Sequence, residues 1–311
     1  MKLFKLLLLL ALCSSSVQPV DYNDKLVQQK LINYFAILTG PILGSATQLI
    51  FNYVNDPVSN PLIPTVDEQT AQIIRERLAQ AGVKNAHEIE IKRVFSAGIS
   101  DNAFAYKKGF SGYRIVLTTV NTYHELEIII AAYLKALESD DKEEISKAKE
   151  ALDQALWVID HEAQHIINDD VNYRFLVKCA IHAGLFGINE LWQSKPIAER
   201  SNANLLATAL SQVILGSYLS AKYNRYTELR ADKGIENNAT TLKGAITFFN
   251  KNHNDIENYI TSVIANNAHC APWVQKLLYT LSRFNFYGPY RSHPNPLHRV
   301  KILEDRLEQI T

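Results

Sequence analysis

Residues 158–167, with the sequence Val-Ile-Asp-His-Glu-Ala-Gln-His-Ile-Ile, constrain the fold and chemistry of this chain more than any other stretch. Apolar pairs on both sides of His-Glu-x-x-His predict a buried helix. In a helix His161 and His165 project from one face, so both imidazoles can bind one zinc ion. Glu162 is rotated by about 100° from His161, which places it beside the metal as a general base for water. The alternative is a chance match on an amphipathic helix, so the rest of the sequence must supply a third ligand.

The composition is that of an ordered, helix-rich globular protein. The chain has 311 residues, of which 47% are apolar and 21% are charged. This length is enough to bury a large core in one or two domains. Lys and Arg together number 32, as do Asp and Glu, so the charge gives no case for nucleic acid or an anionic membrane surface as a partner.

Residues 1–16 have the pattern of an export signal. A charged start is followed by an apolar run at residues 6–12 and by small residues at 14–16, where cleavage is expected. The run is too short to span a bilayer. Cys13 follows a lipobox-like string, which allows a lipoprotein as an alternative. This alternative is less favoured, because Leu12 stands where a small residue is expected. We therefore expect an exported protein, either periplasmic or secreted.

Residues 17–66 are predicted to form an N-terminal helical appendage and linker ahead of a catalytic domain at residues 67–311. The apolar segment 31–51 is interrupted by polar residues and by Gly40-Pro41, which favours a pair of packed helices over a membrane anchor. The boundary is a loop spaced out by Pro57, Pro61 and Pro64.

The remaining pattern predicts a mostly α fold with a small antiparallel β-sheet, which is an α+β class. Residues 67–81 have helical spacing and end at Gly82, a typical helix stop. Residues 88–120 contain alternating apolar positions, which predict strands, and helices resume at residue 123. An edge strand of this sheet could pair with an extended peptide and lay it across the metal.

Two later segments, 175–188 and 205–219, are apolar enough to suggest membrane spans. Their polar side chains favour buried helices of a soluble bundle, and neither segment reaches about 18 uninterrupted apolar residues. Cys179 and Cys270 remain after the signal, and their spacing does not decide whether they pair.

The best candidate for the third ligand lies in the segment Tyr-Thr-Glu-Leu-Arg-Ala-Asp-Lys at residues 226–233. Glu228 and Asp232 are one helical turn apart and share a face. Two histidines and one glutamate form an established set for catalytic zinc, which needs a fourth position for water. Asp232 could accept the spare N–H of a ligating histidine. The alternative is an ordinary solvated helix face.

Four motifs occur in order along the chain. They are Asn102-Ala103-Phe104-Ala105, His161-Glu162-Ala163-Gln164-His165, Glu228-x-x-x-Asp232, and Ser292-His293-Pro294 with Arg299 beyond it. Together they resemble the gluzincin metalloendopeptidases that include the CaaX prenyl proteases, HtpX-type membrane proteases and soluble periplasmic relatives. The resemblance covers about residues 67–307 and implies a zincin-like metalloprotease domain.

The resemblance also implies a role for each motif. One Zn²⁺ ion would be held by His161, His165 and Glu228, while Glu162 activates water and Asp232 orients a ligating histidine. His293 would hydrogen-bond the oxyanion, and Arg299 would support the same side of the cleft. The residues implied to bind substrate on the edge strand are Asn102, Ala103 and Phe104.

Two positions depart from the family pattern. Gln164 stands where a small residue is usual, which adds bulk where the helix packs on a neighbour. Asp160 stands where Ala is usual, and it either adds charge near the site or hydrogen-bonds a surface partner. Neither change removes a ligand, so the expectation of zinc is unaffected.

Three functions follow as hypotheses. The leading one is an exported zinc endopeptidase that cleaves unfolded or membrane- or envelope-associated polypeptides. The second is a zinc-binding, weakly active relative that acts as a chaperone or adaptor in the cell envelope. The third is a structural helical protein in which the motif is accidental, and this predicts no stoichiometric zinc.

Overall fold

The computed structural model describes residues 66–95, 102–107, 112–119, 124–192, 201–289 and 291–311. The predicted signal at residues 1–16 and the predicted appendage and linker at 17–66, apart from residue 66, lie outside these ranges. The segment 31–51, predicted as packed helices and not as a membrane anchor, lies outside them too. The described residues divide into two compact units. The larger unit contains those up to Val171 together with Asn224–Thr311, and the smaller contains those of Asn172–Tyr223.

The described residues are mostly helical, which confirms the predicted α+β class. Along the chain the elements are α1 (Glu68–Gln80), β1 (Glu90–Phe95), β2 (Asn102–Lys107), β3 (Tyr113–Thr119), α2 (Glu125–Leu137), α3 (Lys142–Ala155), α4 (Trp157–Ile167), α5 (Asp170–Trp192), α6 (Asn202–Lys233), α7 (Ala239–Asn266), α8 (Pro272–Tyr287) and α9 (Pro296–Ile310).

The boundaries of the first helix follow from its terminal residues. Asp67 accepts a hydrogen bond from the backbone N–H of Thr70, which satisfies one of the unpaired donors at the start of α1. Gly82 has φ +93°, the left-handed conformation that ends helices and that glycine adopts most readily. The predicted helix over 67–81 with its stop at Gly82 is therefore confirmed.

The sheet is mixed, which corrects the expectation of a purely antiparallel one. Its strand order is β1-β3-β2, with β2 antiparallel and β1 parallel to β3. The chain reverses direction between β1 and β2 and again between β2 and β3. Because β2 lies on the far side of β3, the first and third strands become neighbours and run the same way. Within the described ranges β2 pairs only with β3, so it is an edge strand.

Helix α4 lies between two hydrophobic clusters of the larger unit. In the first, Ile159 packs with Ile74 of α1 and Ile115 of β3, and all three are fully buried. In the second, Trp157 packs with Leu242 of α7. Full burial of such side chains stabilises a protein by roughly 1.5–3 kcal/mol each. The helix that carries His-Glu-x-x-His is therefore fixed from two sides.

The segments 175–188 and 205–219 lie within α5 and α6. Among the described residues, no helix combines the length and apolarity that a membrane crossing requires. In the smaller unit these helices approach closely at Gly216, where a Cβ atom would lie 2.4 Å from the ring of His182. Cys179 and Cys270 are both free thiols.

Candidate metal centre

The structure brings His161, His165 and Glu228 together in the larger unit. The two histidine Nε2 atoms are 3.2 Å apart. Oε2 of Glu228 is 3.4 Å from Nε2 of His161, and its Oε1 is 3.4 Å from Nε2 of His165. Ligands at about 2.0–2.1 Å around a tetrahedral zinc are separated by about 3.3 Å. The three side chains therefore fit zinc in both donor type and spacing.

Burial and mutual hydrogen bonding set the charges of these ligands. All three are buried, with 4–6% of their surface exposed. Burial raises the pKa of Glu228, but hydrogen bonds from both histidines and from His293 outweigh it and hold the pKa well below its usual value. Burial lowers the pKa of His161, but hydrogen bonds with Asp232 and Glu228 raise it to about 9. Two imidazoles and an anionic carboxylate form a donor set that zinc prefers, and zinc binding would displace the proton that these contacts favour on His161.

Asp232, which the sequence analysis expected to orient a ligating histidine, contacts His161. Its Oδ1 lies 3.0 Å from Nδ1 of His161, on the side of the ring away from Glu228. Arg299 donates to both oxygens of Asp232, at 2.7 Å and 2.5 Å. The Arg299 guanidinium also lies 3.9 Å from the ring centroid of Phe249. The structure thus places Arg299 behind Asp232, where it holds the carboxylate that contacts the histidine.

The second histidine has a partner that the sequence analysis missed. Oδ2 of Asp170 lies 2.7 Å from Nδ1 of His165, and the Arg230 guanidinium bonds the other oxygen of the same carboxylate. Asp170 is 1% exposed. In the sequence it stands out only as part of the Asn-Asp-Asp segment that ends the helix. A carboxylate five residues after a ligating histidine does not face it on a continuous helix. Asp170 could therefore be identified as the partner of His165 only once the helix was known to end between them.

Glu162 lies between the metal cluster and the edge strand. It is buried, and its Oε2 accepts a hydrogen bond of 2.5 Å from the backbone N–H of Ala105 in β2. Burial, together with the nearby Glu228 carboxylate, raises the pKa of Glu162 despite the two histidines. Of the residues predicted to bind substrate, Asn102 begins this strand, Ala103 is buried and Phe104 is 39% exposed.

His293 lies at the exposed side of the cluster. Its Nδ1 is 3.2 Å from Oε2 of Glu228, while 67% of its side chain is accessible. Arg225, one turn before Glu228 in α6, donates to the backbone oxygens of Pro289 and Arg291 at 2.7 Å and 3.3 Å. The helix that carries the third ligand therefore also holds the segment leading to His293.

The two departures from the family pattern have defined surroundings. Gln164 donates to the backbone oxygen of Gly234 at 3.4 Å, and a Cβ atom at Gly234 would lie only 2.1 Å from the Gln164 side chain. The bulk of Gln164 is thus accommodated by a glycine. The partner of Asp160 is not on the surface: both its oxygens accept hydrogen bonds from the buried Arg77, each at 2.6 Å.

Comparison with known proteins agrees with this geometry. The model of peptidase family M48 matches residues 64–307, which is most of the chain and includes all four motifs. No curated protein and no solved structure matches the chain significantly. The chain therefore belongs to peptidase family M48, a family of zinc-dependent metallopeptidases.

Proposed function

We propose that the protein is a zinc-dependent endopeptidase that cleaves unfolded or membrane- or envelope-associated polypeptides. The observation that carries this proposal is the spacing of the ligand groups: the two histidine Nε2 atoms are 3.2 Å apart, and each lies 3.4 Å from one oxygen of the Glu228 carboxylate, which fits the spacing of ligands around zinc. His161, His165 and Glu228 would hold the ion. When bound, zinc polarises the scissile carbonyl and makes the attacking water more acidic.

Glu162 is the proposed general base. It takes the proton of the attacking water and delivers it to the nitrogen of the leaving amine. Burial raises the pKa of its carboxyl, which brings its proton affinity closer to what a base needs near neutral pH. The Ala105 N–H, at 2.5 Å, holds the carboxylate at the boundary between the metal cluster and β2.

Strand β2 is the proposed substrate-binding edge. Among the described strands β2 has β3 as a neighbour on one side only, and an extended peptide would add on its other side through backbone hydrogen bonds and therefore with little dependence on side chains. The contact between Ala105 and Glu162 means that a peptide aligned on β2 passes beside the base. An unfolded segment meets these requirements, because its backbone groups are free to pair.

His293 is the proposed donor to the oxyanion. It is 67% exposed and lies against Glu228, so its ring borders the position that the scissile carbonyl would occupy. Removal of one such donor typically lowers kcat by about 10²–10³-fold.

Export, with residues 1–16 as the signal, is part of the same proposal and rests on the sequence pattern.

Replacement of Glu162 by Gln tests the proposal. We expect one zinc per chain in wild type and E162Q alike, because Glu162 is not a ligand, and cleavage of unfolded casein lower by about 10²–10⁴-fold in the variant. Glu144→Gln, at an exposed position of α3, is the matched control and should cleave like wild type. Equal cleavage by E162Q would refute the assigned base, and loss of zinc would show that Glu162 is a ligand. Zinc-loaded wild type without proteolysis would favour the chaperone or adaptor function.

A further inference from the structure

The turn between α4 and α5 presents two adjacent carboxylates to different partners. Helix α4 ends at Ile167 and is capped by Asn168, and Asp169 follows with φ 50°, a left-handed conformation that Asp and Asn adopt more readily than most residues. This one residue changes the direction of the chain, and α5 then begins at Asp170. Because of the change in direction, Asp170 faces back onto α4 while Asp169 faces the sheet.

Asp170 is built into the surroundings of the metal cluster. Its carboxylate lies 2.7 Å from Nδ1 of His165, the ring nitrogen that faces away from Glu228. Accepting a hydrogen bond from Nδ1–H keeps the proton on that nitrogen, which leaves Nε2 with a lone pair for a metal and sets the rotation of the ring. Arg230, which bonds the other oxygen, stands two residues after Glu228 on α6. The carboxylate therefore connects the helix of the histidines to the helix of the third ligand.

Asp169 connects the same turn to the sheet. Its carboxylate accepts hydrogen bonds from the hydroxyl of Tyr113 and from Nζ of Lys107, the latter at 3.0 Å. Lys107 ends β2 and pairs in register with Tyr113 at the start of β3. The Lys107 ammonium also lies 4.7 Å from the centre of the Tyr113 ring. These contacts fix the end of β2 at Lys107. Ala105, whose N–H bonds Glu162, lies only two residues before it in the same strand.

We propose that Asp169 and Asp170 are positioning residues with separate effects. Asp170 holds His165 in the orientation that binds zinc. Asp169 fixes the position of β2, the proposed substrate-binding strand, relative to helix α4. This inference rests on the proposed function. It adds that one turn of the chain aligns the metal ligands with the bound peptide, although neither carboxylate touches the metal or the peptide.

Two substitutions separate the effects. Asp170→Asn keeps the shape of the side chain and removes its charge. Asp169→Gly removes the carboxylate and keeps the left-handed backbone, which glycine adopts without strain. Zinc affinity is measured by chelator competition. Affinity for fluorescently labelled unfolded casein is measured by anisotropy with each variant in the E162Q background, so that no substrate is consumed.

We expect D170N to weaken zinc binding by about 10–100-fold, the usual effect of losing a carboxylate that orients a ligating histidine. Its casein affinity at saturating zinc should stay near that of E162Q alone. D169G should keep the zinc affinity and weaken casein binding by about tenfold, because the strand is no longer held in position. Tyr113→Phe removes the hydroxyl that donates to Asp169. It should weaken casein binding by itself, and it should not weaken it further when combined with D169G, because both changes break the same contact.

Zinc affinity within about threefold of wild type in D170N would overturn the role of Asp170. Loss of zinc affinity in D169G equal to that in D170N would show that the turn is merely structural. Both results are read without proteolysis, so they differ from a failure of the proposed function, which would appear as zinc-loaded wild type that does not cleave casein.

Discussion

The guanidinium of Arg77 holds the helix that carries the two histidines. It donates to both oxygens of Asp160 at 2.6 Å, and its Nη2 also reaches Glu236 at 2.6 Å. Arg77 is 8% exposed and Asp160 is 1% exposed, so this is a buried ion pair that links α1 to α4. Arg77→Met keeps a long apolar side chain and leaves Asp160 without its cation.

The expected loss follows from what remains around Asp160. Among the described residues, the backbone N–H of Glu236 is its one other hydrogen-bond donor, at 3.2 Å, and this does not replace a bidentate cation. Removing one partner of a buried pair destabilises a protein by about 3–5 kcal/mol, a large part of the roughly 5–15 kcal/mol of a typical domain. Most of this loss comes from the uncompensated charge and not from lost contact area.

The loss should also depend on pH. Burial raises the pKa of Asp160, and in R77M the Arg77 hydrogen bonds no longer oppose this. The carboxyl of the folded variant then holds its proton at pH values where the unfolded chain has released it. Stability is therefore highest at acid pH and declines as pH rises through the raised pKa, so the difference from wild type should be larger at pH 8 than at pH 5.

The measurement is urea unfolding followed by far-UV circular dichroism on the metal-free protein, so that zinc binding does not contribute. Arg75→Met is the matched control on the same helix. Arg75 pairs with the exposed Glu68 and donates to the backbone oxygen of Ile89 at 3.1 Å, and because its removal leaves no buried charge unpaired it should cost only about 1–2 kcal/mol. R77M combined with Asp160→Leu should recover part of the loss, since no charge is left buried. A loss below about 1 kcal/mol in R77M, or a double variant as unstable as the sum of its parts, would refute the reasoning.

Three further outcomes are expected. Zinc binding at pH 7 should release about one proton or more, because the raised pKa of about 9 keeps His161 protonated in the metal-free protein and zinc binds the neutral ring. Calorimetry in buffers of different ionisation enthalpy measures this, and the number of protons released at pH 7 should fall in His161→Ala. Arg299→Met should weaken zinc binding by about 10-fold, because Asp232 loses the guanidinium that holds it. An unchanged zinc affinity would contradict this role of Arg299. Gly244→Ala should lower the free energy of unfolding by about 1–3 kcal/mol, because the added Cβ would lie 2.0 Å from the backbone oxygen of Gln154. Urea unfolding measures this, and an unchanged midpoint would contradict the close packing of α7 on α3.

The candidate site was predictable where its geometry is local. The i,i+4 spacing of His161 and His165 places two imidazoles on one face of any helix, whatever the rest of the fold does. The same holds for Glu228 and Asp232. These pairs needed only the prediction of a helix, and the structure shows each of them on one. That the two helices meet was inferred from the resemblance, and the distances between their side chains agree with it.

The partners from outside those helices were not predictable in the same way. Asp160 was expected either to add charge near the site or to hydrogen-bond a surface partner, but its partner is the buried Arg77, 83 positions earlier in the chain. No local pattern connects the two, because their contact exists only after α1 and α4 have packed on the same core. The parallel pairing of β1 with β3 has the same origin, since alternation identifies strands but not their neighbours. The predicted division at residue 66 and the predicted export remain predictions.

The sequence by itself determined the chemistry of the ligands and the helices that carry them, because spacing along one helix sets which side chains share a face. Only the tertiary structure decided what surrounds those ligands: Asp170 beside His165, Arg299 behind Asp232 and Ala105 on Glu162. A buried polar group takes whichever partner the packed chain brings within hydrogen-bond distance, and that choice depends on every element of the fold at once.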